Sequence, residues 1–267
     1  MDLGLKNANV LVSGGTGGMG RAAADCFAAD GARVAVMARS RAELDSTVAA
    51  LKKLGAPDAV GLQADLFDGA SVDAALAELG RRWGHLNAVV NAAGPLSGGL
   101  KTFEAYTDEE WQNVYSGLLM GAVRTIRAAL PLLRKAPWAR IVNVSAMSTK
   151  RQSPPLVAYT SAKAALTSVS KNLSQSLAPE GILVNTVSPG TFVSESFKAS
   201  MAPIPDLDEN DLYAVMGYIN KNFGHHVFLN RAAEPAEIGP VIAFAASARN
   251  TYMTGANINV DGGSDFT

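Results

Sequence analysis

Apolar residues in this chain fall into two rhythms. Short, nearly unbroken runs recur as NVLVS (9–13), RVAVM (33–37), LNAVVN (86–91), RIVNVS (140–145), ILVNTVS (182–188) and INV (258–260). Runs without alternation are expected of strands covered on both faces of a parallel sheet. Between them, Ala-, Leu-, Glu- and Arg-rich segments carry apolar residues at helical spacing, which predicts helices over 18–29, 41–54, 71–83, 108–135, 157–179 and 235–247. Gly31, Gly55, Gly84 and Gly181 follow four of these segments, where a left-handed residue would end a helix before the next strand. Strand and helix alternate to the end with no linker or repeat. The pattern predicts one doubly wound α/β domain over residues 1–267.

One segment breaks the rhythm. Residues 192–230 contain Pro203 and Pro205, mix charges with Phe, Met and Tyr, and have no evident place in a sheet. A segment this long in that position is expected to form a lid or binding loop.

Composition narrows the function classes. The net charge is −1, so no long-range field favours nucleic acid or an anionic membrane. The only cysteine is Cys26, which excludes an internal disulfide and a cysteine-based metal cluster and fits a reducing, cytoplasmic setting. No signal-type apolar core opens the chain and no apolar run approaches ~18 residues, so a soluble protein acting on a small molecule is expected. His225–His226 lacks the placed carboxylates or cysteines of a metal site and is expected to pack in the lid.

The stretch after the first strand, SGGTGGMGRAAADCF, carries Gly15, Gly17 and Gly20 as G-x-G-x-x-G between an apolar strand and an alanine-rich helix. In that setting glycines admit the backbone close to a pyrophosphate, and free helix-start N–H groups hold its charge. Roughly 20 residues on, a dinucleotide enzyme of the NAD type would present an acid to the ribose. Here Ala38 and Arg39 stand instead, and an arginine suits a 2′-phosphate by charge and fork geometry. NADP(H) is the expected cofactor, with NAD(H) as the alternative.

Together these motifs resemble the short-chain dehydrogenase/reductase superfamily over essentially the whole chain. Its T-G-x-x-x-G-x-G pattern is matched by Ser13, Gly14, Gly18 and Gly20, its adenine-side Asp by Asp65, and its N-A-G motif by Asn91, Ala92, Ala93 and Gly94. Its Y-x-x-x-K signature is matched by Tyr159 and Lys163, and its P-G by Pro189 and Gly190, with Phe192 and Ser194 beyond. The resemblance implies a seven-stranded parallel Rossmann sheet and a homo-oligomer, dimer or tetramer. It places the cofactor on Ser13, Gly14, Thr16, Gly18, Met19, Gly20, Arg39, Asp65, Leu66, Asn91, Ala92, Gly94, Tyr159, Lys163, Pro189, Gly190, Phe192 and Ser194.

Tyr159 and Lys163 are four residues apart, so a helix sets them on one face. A phenol of pKa about 10 is a poor base, and a nearby ammonium is expected to lower it by roughly 1–3 units. The pattern then departs from the family twice. Thirteen residues before Tyr159, where the family has a catalytic serine, stands Ala146. The missing hydroxyl is expected from Ser148 in the loop beyond, or from Ser145 if the strand is bulged, since one step along a strand turns a side chain to the other face. Leu118 holds the position of the family's relay asparagine; Asn113, about 500° back round the helix, is no substitute.

Expected pocket walls are Pro95, Leu96, Met147, Leu156, Phe192, Phe197, Tyr213, Met216 and Phe223, a mostly apolar set. The resemblance implies an oxidoreductase interconverting a carbonyl and a secondary alcohol. A dinucleotide sensor with weakened turnover, or an isomerase or lyase on the same scaffold, are the competing readings.

Overall fold

The inner strands of the sheet send alternate residues into two separate cores. In a computed structural model describing residues 2–94 and 100–266, β1 (Asn9–Ser13) turns Val10 and Val12 to one face and Leu11 to the other, all three fully buried. On the first face lie α1 (Gly18–Ala29), α2 (Arg41–Leu54) and α9 (Pro235–Ala245), contributing Phe27, Leu44, Leu51, Ile238 and Ile242. On the second lie α3 (Gly69–Trp83) and α5 (Gly121–Leu133), contributing Leu76, Leu79, Ile126 and Leu133. Burial on both faces explains why the apolar runs do not alternate. Phe27 has no exposed surface, and cutting it to alanine would cost about 3–5 kcal/mol.

Among the described residues seven strands pair in parallel in the order β3-β2-β1-β4-β5-β6-β7. The others are β2 (Arg33–Ala38), β3 (Ala59–Gln63), β4 (Ala88–Asn91), β5 (Ala139–Val144), β6 (Ile182–Pro189) and β7 (Asn257–Val260). Strand order reverses between β1 and β4, which opens a crevice beyond their carboxyl ends. β3 is the strand that the apolar runs did not show. Its AVGLQ is interrupted by Gly61, where a Cβ would lie 2.9 Å from Leu44 Cβ, so the glycine lets α2 lie against the sheet.

The expected long helix over 108–135 is in three parts: α4 (Asp108–Tyr115), a π turn at Ser116–Met120, and α5. By length and composition alone the run Asp108–Leu133 would suffice to cross a bilayer. Half of it is buried within the domain, with Leu118, Ile126 and Leu133 among the buried residues, as in a core helix. The α6 helix (Val157–Leu177) carries the Tyr–Lys pair.

The 192–230 segment is more regular than a loop. It forms α7 (Glu195–Met201), N-capped by Ser194, and α8 (Leu212–Phe223), N-capped by Asp211 and ended by Gly224 at φ 62°. Val193, Val215 and Ala232 make a small core of their own under Phe197, Leu212 and Ile219. Among the described residues one isolated parallel β-bridge, Phe192 to Ala233, closes the base of this unit between β6 and α9.

Candidate active site

The crevice begins at the loop between β1 and α1. Gly14 has φ 76°, and a Cβ there would lie 2.6 Å from Ala93 N; one on Gly20 would lie 2.2 Å from Gly14 O. Those two glycines let loop, helix and the end of β4 pack together. At Gly17 nothing lies within 4 Å of a would-be Cβ, so the loop faces open space there. Gly17 caps α1 without a side-chain hydrogen bond, and no acid occupies the first turn. The helix start therefore presents unshielded amides and its positive pole, which suits a diphosphate. Met19 packs toward the core behind it.

Of the other predicted cofactor residues, Asn91, Ala92 and Ser194 lie against this loop or the strand end before it. Ser13 ends β1 in register with Asn91, and Ala92 N donates to Ser13 O at 3.0 Å. Asn91 Nδ2 donates to Asn143 Oδ1 at 2.8 Å, while its own Oδ1 is buried with no hydrogen-bond partner. Asp65 Oδ1 accepts from Phe67 N, which shapes the turn after β3, and Leu66 O accepts from Arg124. Across the crevice, Gly190 lets the end of β6 pass 2.7 Å (Cβ position to Cα) from Asp261. The segment from Pro189 through Phe192 then reaches Ser194, whose Cβ lies 3.5 Å from a would-be Cβ on Gly18. Arg39 is exposed at the end of β2 with no ion pair among the described residues. Thr16 Oγ1 donates to Glu43 Oε2 at 3.3 Å, which sets an acid on the opposite flank.

On α6, Lys163 is buried and its Nζ donates to Val144 O at 2.7 Å. It lies 5.8 Å from the centroid of the Tyr159 ring and beside Gly94, where a Cβ would come within 3.0 Å of Nζ. The expectation that the ammonium lowers the phenol's pKa is not met. Burial pushes Tyr159 up to about 12 and Lys163 down to about 8. Desolvation acts against both charged forms here. The phenol is thus a proton donor throughout the neutral range.

Neither expected replacement hydroxyl stands free. The β5–β6 register runs unbroken to Val144–Val187, and Ser145 N continues it by donating to Val187 O. Without a bulge, Ser145 Oγ turns into α6, 2.8 Å from Thr167 Oγ1 and 3.1 Å from Lys163 O. Ser148 Oγ is buried and accepts from Thr160 Oγ1 at 2.9 Å. Its own proton has no acceptor among the described hydrogen bonds. Ala146 lies between them in extended backbone. Leu118 is buried on the π turn, 3.3 Å from a would-be Cβ on Gly94, and Asn113 is exposed.

The residues expected as pocket walls differ in exposure. Met147, Phe192 and Met216 are buried, whereas Tyr213 and Phe223 are 63% and 43% exposed and face solvent. Pro95 and Leu96 lie outside the described residues. One contact had no sequence signal: Arg151, in the loop before α6, donates to Gly224 O at 3.0 Å and His226 O at 3.1 Å. It caps the carboxyl end of α8 and fastens the 192–230 segment to the loop between β5 and α6. His226 packs edge-on against Phe228.

Comparisons with known proteins agree with this geometry. Residues 14–265 match the sequence family described as Enoyl-(Acyl carrier protein) reductase. A 3-oxoacyl-acyl-carrier-protein reductase of Staphylococcus aureus is 30% identical over 256 residues, which cover 96% of this chain and 97% of the relative. A putative ketoacyl reductase of the monensin polyketide synthase from Streptomyces virginiae is 32% identical over 95% of each chain. The crystal structure of L-sorbose reductase from Gluconobacter frateurii, complexed with NADPH and L-sorbose, superposes with a TM-score of 0.90 over the whole of both chains at 28% identity.

Proposed function

Because this chain belongs to the short-chain dehydrogenase/reductase superfamily of NAD(P)-dependent oxidoreductases, we propose that it reduces the carbonyl of a mostly apolar small molecule to a secondary alcohol with NADPH. When bound, the nicotinamide supplies hydride to the carbonyl carbon. Tyr159 donates the proton that the carbonyl oxygen takes up, and Lys163 holds positive charge beside the phenolate left behind.

The observation that carries this reading is the pairing of a protonated Tyr159 with Lys163 on the face of α6 that borders Gly94. A phenol raised to about 12 suits the reducing direction, since it arrives with its proton. Preference for NADPH is supported by Arg39 and by the similar L-sorbose reductase having been solved with NADPH. Buried Met147, Phe192 and Met216 favour an apolar substrate body.

A dinucleotide sensor is the second reading, favoured by Ala146. One experiment separates the two. Thermal melts with NADPH, NADH and buffer are followed by NADPH consumption against a panel of apolar ketones and β-keto thioesters. NADPH at 100 times Kd adds about 2.7 kcal/mol to stability. Stabilisation with turnover supports the reductase; stabilisation without turnover on any carbonyl supports the sensor.

A further inference from the structure

Lys163 is gripped at both ends by consecutive residues of one strand end. Val144 O takes the ammonium at 2.7 Å, and the next residue, Ser145, brings its hydroxyl to 3.1 Å from the backbone carbonyl of Lys163. Thr167, one turn further along α6, donates to the same carbonyl at 3.0 Å and lies 2.8 Å from Ser145 Oγ. Three contacts share two hydroxyl protons. Ser145 Oγ donates to Lys163 O, and Thr167 Oγ1, within reach of both, closes the cluster on the turn that carries Lys163.

We infer that Ser145 and Thr167 are positioning residues for Lys163, setting the depth at which its ammonium sits beside Tyr159. The inference rests on Lys163 acting with Tyr159 as proposed above. It also gives Ser145 a role in place of the one expected of it, because a hydroxyl spent on the lysine's carbonyl is not offered to substrate.

The physical argument is one of leverage. A helix is stiff along its axis but can slide or rotate against a sheet. α6 meets β5 here through small side chains. Ser145 is buried at 1% exposure, so its hydroxyl has no water to turn to, and a buried hydroxyl held on both sides has one stable arrangement. Releasing the clamp frees the turn that carries Lys163 to ride outward. Among the described residues that meet Lys163 (Gly94, Val144, Ser145, Thr167 and Tyr159) only Tyr159 carries a titratable side chain, so a change in the lysine's behaviour reports its depth.

The test compares Thr167→Val, Ser145→Ala, their combination, and Thr167→Ser, which keeps the hydroxyl. Each is read by melting temperature, NADPH affinity, and the pH profile of kcat/KM for carbonyl reduction. Expected is a fall in kcat of about tenfold in the double variant with little change in NADPH affinity. The alkaline limb moves to higher pH as the lysine becomes less buried, and Thr167→Ser behaves as the parent protein. Should the double variant not fold, the singles decide, each showing the same displacement in smaller measure. Lower melting temperatures with kcat and the limb unchanged would overturn the inference and leave the pair as packing. If Lys163→Ala keeps full turnover, the proposed function has failed instead.

Discussion

Lys163 Nζ lies 5.8 Å from the centre of the Tyr159 ring, and the ammonium is tied to Val144 O rather than to the phenol. Burial has moved the two groups in opposite directions, Tyr159 to about 12 and Lys163 to about 8. For reduction this leaves the lysine as the group that titrates first. The account expects kcat/KM, which reports the free enzyme, to be level below pH 8 and to fall above it as Lys163 loses its charge. A profile level to pH 10 would contradict it.

The same groups make stability depend on pH. Between about pH 8 and 10.5 the unfolded chain binds a proton at Lys163 that the native state does not, so stability rises with pH by roughly 3 kcal/mol in all. Between about pH 10 and 12 the native phenol keeps a proton that the unfolded one has lost, and stability falls. Urea midpoints from pH 7 to 10 should climb in the parent protein relative to Lys163→Met, in which the lysine's part of the slope is absent.

Ala146 offers a gain-of-function test. Its backbone is extended and unstrained (φ −159°, ψ 148°), so a serine fits the local geometry. One well-placed oxyanion donor is typically worth about 10²–10³ in rate. Ala146→Ser is expected to raise kcat for carbonyl reduction by up to about 10²-fold without changing NADPH affinity. Unchanged kcat would mean that a hydroxyl at 146 adds nothing to a donor already in place, with Ser148, whose proton has no acceptor among the described residues, the first to test.

The account expects cofactor choice to turn on Arg39 and Glu43. Hydrogen bonds to charged groups contribute about 1.5–3 kcal/mol, so Arg39→Ala should weaken NADPH binding about tenfold or more and leave NADH nearly unaffected. Glu43 faces Thr16 across the loop and opposes a second anion, so Glu43→Gln should tighten NADPH binding. Fluorescence titration with both nucleotides reads each effect, and equal changes for the two would refute the assignment.

Arg151 is expected to govern the lid. Arg151→Ala removes the two donors that end α8, so amide exchange over 212–223 should accelerate and substrate KM should rise more than kcat falls. Unchanged exchange in α8 would show the lid to be held by other contacts.

Much of this was legible in the sequence where neighbours in the chain decide the structure. The glycine loop, its strand, the bounds of α1 and α2 and the shared face of Tyr159 and Lys163 all follow from local pattern. Ser145 was offered as a replacement hydroxyl only by way of a bulge, and the unbroken strand instead turns it into α6. β3 was missed because Gly61 breaks its apolar run, and the reason for that glycine, Leu44, lies elsewhere in the chain. Nothing local marks the π turn at Ser116–Met120. Arg151 and Thr167 were silent because their partners are reached only after folding, 73 and 75 residues away for Arg151 and 22 for Thr167. The direction of the phenol's pKa shift was misjudged for a related reason: charge proximity is visible in a spacing, and desolvation is not.

The most direct test is a single turnover. Tyr159→Phe and the parent protein are each loaded with NADPH to equal occupancy and mixed with an excess of a carbonyl that the parent protein reduces, and loss of the reduced-nicotinamide absorbance is followed. The account predicts that the variant binds NADPH as the parent does but transfers hydride at least about 10²-fold more slowly. Equal rates in the two proteins would show that the proton comes from elsewhere, and the assignment of Tyr159 would fall.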